Sequence, residues 1–198
     1  MNLDALKNYL PENALPYLYK WLEGVSLTIK IKNDRKTKLG DYRYDKQSQK
    51  HQITINGSLE KEAFFFVITH EIAHLLVQNK YHTAVKSHGI EWKNEFSDLL
   101  KETVEIYPEN FRAYILKHAV NPKASVGADA DLHKLMFLKK EYHENLIENL
   151  NEGQKFRIRK RIFIKGKKRK IRYICRDLKT NKSYLVSGMA VADEIYEE

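Results

Sequence analysis

A nearly continuous apolar segment with three ionisable residues at its centre is the feature that most restricts the fold of this chain. From Leu59 to about Asn79 the residues are compatible with a helix and apolar on nearly all sides, which is typical of a helix buried in the middle of a domain. His70, Glu71 and His74 interrupt this segment. Burying two imidazoles and a carboxylate costs free energy unless each has a partner. The fold therefore has to supply partners for these three side chains.

The spacing of the three residues predicts a metal site. Two histidines four positions apart project from one face of a helix, so both imidazoles can bind one metal ion at about 2.0 to 2.1 Å. A single zinc ion is the expected cofactor, and the adjacent Glu71 is expected to act as general base on a zinc-bound water. The alternative is structural, with His70 and His74 bonded to backbone carbonyls and Glu71 in a salt bridge.

A catalytic zinc site needs a third protein ligand, which the spacing alone does not identify. The downstream candidates are His82, His88, Glu91 and Glu95. Asp129 and Asp131 are also potential ligands, but capping of a helix is their expected role.

The rest of the chain alternates between helical and extended patterns, which predicts an α+β fold. The predicted helices are 3–10, 14–23, 59–79, 90–104, one that begins at Pro108, and 131–142, and the predicted strands are 25–32, 41–45 and 52–56. We expect a domain of residues 1–143 in which a small antiparallel sheet packs on the helix that carries His70 and His74. The weakly patterned segment 144–153 is the predicted domain boundary.

A concentrated positive charge distinguishes the C-terminal part of the chain. Eleven of the 35 Lys and Arg lie between Lys155 and Arg172, where there is no acidic residue. The two-residue period returns here, which predicts a small basic β-sheet module at 154–198. Such a segment favours nucleic acid as a partner, although a solvated sheet face is the alternative. The predicted nucleic-acid contacts are Lys155, Arg157, Arg159, Lys160, Arg161, Lys165, Lys167, Lys168, Arg169, Lys170 and Arg172.

The compartment follows from what the sequence lacks. Cys175 is the only cysteine, which excludes an intramolecular disulfide and a multi-cysteine metal cluster. The N-terminus shows no secretory signal pattern, and the most apolar stretch, 63–77, is too short for a membrane span. A cytoplasmic protein without a membrane partner is predicted, with association with the nucleoid left open.

Four short motifs carry a resemblance to a known family. HEIAHLL and HGIEWK, preceded by LGDYRY and ITINGSL, resemble the SprT-like metallopeptidases, the family that includes bacterial SprT and the Spartan DNA-protein crosslink proteases. The resemblance covers about Val25 to Leu100. It implies a zincin-like domain in which His88 is the third zinc ligand beside His70 and His74. Many members end in a four-cysteine zinc ribbon, which this chain cannot form.

The resemblance also suggests how a substrate would bind. In zinc peptidases of this kind an edge strand beside the active helix pairs with extended substrate, and 52–56 is the expected strand. Tyr42, Arg43 and Tyr44 are candidates for an oxyanion-stabilising donor, with ordinary strand packing as the alternative.

The function predicted from the sequence is a zinc metallopeptidase that acts on DNA-associated or DNA-crosslinked proteins. The main alternative is a nucleic-acid-binding transcription or repair factor in which zinc is structural and proteolysis is negligible. A third interpretation is a basic binding protein without a metal.

Overall fold

The computed structural model of the protein describes residues 2–35, 38–82, 85–137 and 144–196. The chain is α+β, as predicted, with small sheets and helices, and it divides into two compact units, Met1–Phe137 and Leu138–Glu198. The domain boundary at 144–153 stays a prediction. Within the described ranges, no helix combines the length and the apolar character that crossing a membrane requires.

Helices make up most of the first unit. After a 3-10 helix at Asp4–Tyr9, its α-helices are α1 (Leu15–Trp21), α2 (Lys61–Tyr81), α3 (Ile90–Glu102), α4 (Glu109–Val120) and α5 (Ala130–Phe137). The predicted helix 131–142 corresponds to α5 as far as Phe137, and its remaining residues lie outside the described part of the chain.

The central helix α2 is buried on nearly all sides, as its composition predicts. Phe64, Phe65 and Phe66 are each fully buried. Their rings pack against different neighbours: Phe65 stacks on Trp21 of α1, and Phe66 packs edge-on against Phe96 of α3 with ring centroids 5.3 Å apart. Burial of three such side chains contributes several kcal/mol and holds α2 firmly between its neighbours.

A three-stranded sheet packs on α2, and its topology corrects two predictions. The strands are β1 (Leu27–Lys32), β2 (Gly40–Asp45) and β3 (Lys50–Asn56), in the order β1-β3-β2. β3 runs parallel to β1 and antiparallel to β2, so the sheet is mixed and the prediction of an antiparallel sheet is wrong. β3 is also the central strand, so the prediction that 52–56 forms the substrate-binding edge is wrong.

The sequence of β3 explains its central position. Residues 53–56 are all buried, including the polar Thr54 and Asn56, which is typical of a strand covered on both faces. A short turn at 46–49 places β2 against one side of β3. β1 then occupies the other side, which leaves β2 as an edge strand.

The second unit contains a five-stranded antiparallel sheet. Its strands are β4 (Lys155–Ile158), β5 (Arg161–Arg169), β6 (Arg172–Asp177), β7 (Ser183–Ser187) and β8 (Glu194–Tyr196), in the order β7-β6-β5-β4-β8. One face buries a small core together with the 3-10 helix Ile147–Asn149. The core residues are Ile147, Leu150, Phe156, Phe163, Tyr173, Cys175 and Ala192.

Candidate metal centre

Three histidines converge beside the middle of α2. His70 and His74 lie one turn apart on one face of α2, and the segment before α3 brings His88 to the same place. The Nε2 atoms of His74 and His88 are 3.1 Å apart, and one ligand nitrogen from each of the three rings lies within 4.8 Å of the others. In the described part of the chain, this is the group of side chains that could hold a metal ion.

The chemistry of these three side chains suits a metal ion. Nitrogens bound to one tetrahedral zinc ion lie about 3.3 Å apart, given a bond length of about 2.05 Å, and the 3.1 Å between the Nε2 atoms of His74 and His88 is close to this value. Burial lowers the pKa of His70 well below its usual value and that of His74 to about 4, and the neighbouring imidazoles add to both shifts. Burial also lowers the pKa of His88. The three rings are therefore neutral at pH 7, as metal ligation requires.

The other candidates for a third ligand lie outside this group. His82 is exposed at the end of α2, and Glu91 and Glu95 lie on α3. Asp129 accepts a hydrogen bond from the backbone N–H of Leu132 at 3.3 Å, which is the capping role that the sequence predicts for it.

Trp92 forms one wall of the histidine cluster. Its ring is fully buried, with centroids 4.7 Å from His70, 5.3 Å from His74 and 4.7 Å from His88. Its indole N–H also faces the backbone oxygen of His70 at 3.5 Å. The ring therefore restricts the orientation of all three imidazoles as well as filling the core.

Glu71 lies beside the cluster in a buried position between α2 and the edge strand β2. Burial raises the pKa of its carboxyl to about 8, and the charge of Asp41 adds to the shift. A hydrogen bond from the backbone N–H of Tyr42 and the positive charges of Arg35 and Lys38 oppose it. A further positive charge bound beside Glu71 would favour its ionised form.

The approach of β2 to Glu71 depends on a glycine. A Cβ atom on Gly40 would lie 2.6 Å from Oε1 of Glu71 and 2.7 Å from Cγ1 of Val67, both too close for real contacts. Gly40 belongs to the LGDYRY motif, but neither composition nor periodicity indicates that its lack of a side chain matters here.

A cavity of about 660 Å³ opens over the histidine cluster. Its lining includes the three histidines, Glu71, and residues of the segment that leads into β2. His133 of α5 also lines it, although no sequence pattern supported a role for this residue. The walls carry both signs of charge, from Arg35, Lys38 and Asp41.

The tyrosines of β2 have partners of their own. The hydroxyl of Tyr42 is 2.8 Å from Nδ1 of His51, and Tyr44 packs on the same imidazole with centroids 4.8 Å apart. Arg43 is exposed and forms an ion pair with Asp41 at 2.8 Å. These contacts correspond to the strand-packing alternative, and the oxyanion role for these residues stays a prediction.

Most of the predicted nucleic-acid contacts lie on the surface of the second unit, with one exception. Lys165 is only 5% exposed, and its ammonium donates to the backbone oxygens of Glu148 and Leu150 and lies 4.1 Å from the ring centroid of Tyr173. An ammonium held in this way is not free to contact phosphate, so the prediction for Lys165 is wrong. It is a buried charge with structural partners.

The remaining cations differ in how far neighbouring acids neutralise them. Arg157 pairs with Glu194 at 2.9 Å, and Arg161 lies 3.5 Å from Asp177. The residues exposed in and around the β5–β6 hairpin are Lys167, Lys168, Arg169, Lys170 and Arg172, and those exposed near β4 are Lys155, Arg159 and Lys160. Both groups remain available as candidates for contact with an anionic partner.

Comparison with known proteins identifies a family for the part of the chain that contains the histidine cluster. No curated protein and no solved structure matches the chain significantly. The model of the SprT-like family matches residues 16–109, a segment that contains the three histidines, Glu71 and the sheet beside them. The chain therefore carries, over residues 16–109, a domain that belongs to the SprT-like family.

Proposed function

We propose that the protein is a zinc-dependent peptidase with a zincin-like domain and that it acts on proteins bound or crosslinked to DNA. The observation that carries the proposal is the convergence of His70, His74 and His88 within 4.8 Å, beside a buried Glu71 and under an open cavity. Three protein ligands leave a fourth coordination position for water or substrate, whereas structural zinc sites use four protein ligands. Membership of the SprT-like family is consistent with a metallopeptidase-type domain.

The residues of the site have distinct roles in this proposal. His70, His74 and His88 hold the zinc ion, which when bound lowers the pKa of water to about 7 and polarises a carbonyl group. Glu71 accepts a proton from the attacking water and later delivers it to the leaving amine. Its buried position between α2 and β2 keeps the carboxylate out of bulk solvent. The surrounding residues hold this proton acceptor in one orientation.

The edge strand β2 is the surface on which an extended peptide would bind. The backbone N–H of Tyr42 already donates to Glu71, so a chain that pairs with β2 runs beside the general base. Main-chain pairing of this kind gives affinity with little dependence on substrate sequence. This suits an enzyme whose protein substrates vary.

Association with DNA is supported by the charge of the second unit. Exposed cations cluster along β5 and its turn to β6, and those at 167–170 are consecutive. Contacts between such residues and phosphates give affinity that depends on salt and hardly at all on base sequence. The DNA would then concentrate the enzyme near its protein substrates, with the nucleoid as the corresponding location.

The alternative function is a nucleic-acid-binding transcription or repair factor in which the zinc is structural. The exposed cations fit this function equally well. It gives no purpose, however, to the buried Glu71 or to the cavity beside it. A structural site would also be expected to use a fourth protein ligand.

The comparison of wild type with Glu71→Gln separates the two functions. Both proteins are loaded with zinc and assayed for self-cleavage and for cleavage of a DNA-bound protein, with and without DNA. We expect the variant to bind zinc normally and to lose activity by about 10² to 10⁴-fold. Glu91→Gln, a matched change outside the histidine cluster, should retain activity.

Equal cleavage by wild type and Glu71→Gln would exclude Glu71 as the base. Absence of cleavage by zinc-loaded wild type would favour the binding factor.

A further inference from the structure

His133 reaches the same cavity as the histidine cluster from a different part of the chain. It lies on α5, 45 residues beyond His88, and lines the cavity together with His70, His74 and Glu71. Its ring nitrogens are not among the ligand atoms that lie within 4.8 Å of one another. His133 therefore faces the space that a substrate would occupy without belonging to the metal-ligand group.

The other strong hydrogen-bond donors around the cavity already have partners in the protein. The guanidinium of Arg35 donates to Asn56, Thr54 and Leu39. The ammonium of Lys38 pairs with Asp41 at 2.6 Å. The Tyr42 hydroxyl bonds to His51. These partners hold each of the three groups in its present orientation, and the further N–H groups of Arg35 and Lys38 are oriented together with the bonded ones.

His133 differs from these donors in its hydrogen bonding. Its Nδ1 atom is buried and has no hydrogen-bond partner in the described structure. A buried N–H without an acceptor is the rarer and costlier of the two ways to leave a nitrogen unpaired, so the proton is expected on Nε2. Burial lowers the pKa of His133, which keeps the ring neutral with a single N–H to donate.

The start of α5 is fixed in a way that holds this ring in place. Asp129 caps α5 through Leu132, and its carbonyl accepts the backbone N–H of His133 at 2.9 Å. The other carboxylate oxygen of Asp129 is 2.9 Å from Nδ1 of the buried His118 on α4. His133 also packs against Phe137 one turn later, with ring centroids 5.8 Å apart. The donor thus sits on a short helix whose first turn is anchored to the core.

We propose that His133 is a catalytic residue that donates its Nε2–H to the scissile carbonyl oxygen of the substrate as negative charge develops on it. The inference rests on the proposed peptidase function. No bond to His133 forms or breaks in this role, and its proton stays on the imidazole. A donor already positioned for the oxyanion lowers the barrier because it needs no rearrangement when the charge appears.

The test compares wild type with His133→Phe, which keeps the ring and its packing and removes both nitrogens. We expect kcat to fall by about 10² to 10³-fold, the usual effect of removing one oxyanion donor, with KM and zinc stoichiometry nearly unchanged. A phosphinic peptide has a tetrahedral phosphorus that carries a charged oxygen, as the transition state does. His133→Phe should weaken binding of this peptide more than it weakens binding of the uncleaved peptide substrate, which is measured in proteins that also carry Glu71→Gln. His133→Gln, which retains an N–H, should recover part of both losses. Phe137→Leu disturbs the same helix without removing a donor and serves as the control.

Each outcome bears on the inference. His133→Phe removes an unpaired buried nitrogen and is expected to fold, and His133→Ala carries the same test if it does not. Wild-type kcat and wild-type phosphinic peptide affinity in these variants would overturn the role of His133 while leaving the peptidase function intact. Loss of zinc from the variants would overturn it in favour of a ligand role. A zinc-loaded wild type that neither cleaves peptides nor binds the phosphinic peptide would overturn the peptidase function and the role of His133 together.

Discussion

Gly40 and Glu71 are packed so closely that position 40 has no room for a side chain. A Cβ there would lie 2.6 Å from Oε1 of Glu71 and 2.7 Å from Cγ1 of Val67, so a movement of Glu71 alone would not make room for it. Gly40→Ala should therefore displace either Glu71 or the start of β2. We expect it to reduce peptidase activity at least tenfold while zinc binding is retained, because the nearest atoms to the added Cβ belong to Glu71 and Val67 and not to a histidine.

A control is needed for the loss of stability that Gly40→Ala causes. Gly24 has a φ of 71°, and a Cβ at this position would meet no other atom within 4 Å, so Gly24→Ala costs about 1 to 2 kcal/mol through backbone strain alone. Activity per folded molecule should be normal in Gly24→Ala and low in Gly40→Ala. Melting temperature and zinc content are measured in parallel to correct for unfolded protein. Equal activity per folded molecule in the two variants would contradict the role of the Gly40–Glu71 contact in positioning Glu71.

Trp92 should report metal binding through its fluorescence. It contacts all three histidine rings, whereas Trp21, the other tryptophan, packs against Tyr17 and Phe65. Titration of the Trp21→Phe protein with Co²⁺ should quench emission and saturate at one ion per chain. Trp92→Phe should show little quenching. Equal quenching in the two variants would mean that the ion binds away from Trp92.

His88 should be essential for metal affinity but not for folding. It is the most exposed of the three clustered histidines, so His88→Ala is expected to change the melting temperature of the protein without metal only slightly. Loss of a residue that merely orients a ligand already costs about 10 to 100-fold in affinity, and loss of a ligand should cost more. Competition with a zinc chelator measures the change. Normal affinity in His88→Ala, or reduced affinity in Glu91→Gln, would reassign the third ligand.

The part of the site that could be predicted from sequence is the part that is local. His70 and His74 are one turn apart on a single helix, so their shared face follows from helical geometry. The position of His88 depends on how the segment before α3 returns to α2. Spacing left it as one of several candidates, and only the resemblance to a family selected it.

Contacts between distant segments account for what the sequence did not predict. The alternation in β3 indicates a strand, but the order β1-β3-β2 depends on which side of β3 each neighbour takes. His133 reaches the cavity only because α5 packs against α2 and α4. The burial of Lys165 arises in the same way, since the carbonyls that bind it lie 15 and 17 residues earlier. A count of charges along the sequence does not distinguish Lys165 from its exposed neighbours.

Lys165 and Lys167 should consequently respond in opposite ways to the same substitution. Lys165→Met removes the donor to the carbonyls of Glu148 and Leu150, and loss of these two buried hydrogen bonds should destabilise the second unit by about 1 to 3 kcal/mol. Lys167 is exposed, so Lys167→Met should fold normally. If it contacts a phosphate, DNA affinity should fall and the slope of log affinity against log salt should decrease by about 0.7 to 0.9. Lys165→Met should leave that slope unchanged for the folded fraction. A reduced slope in Lys165→Met with normal stability would show that its ammonium reaches DNA after all.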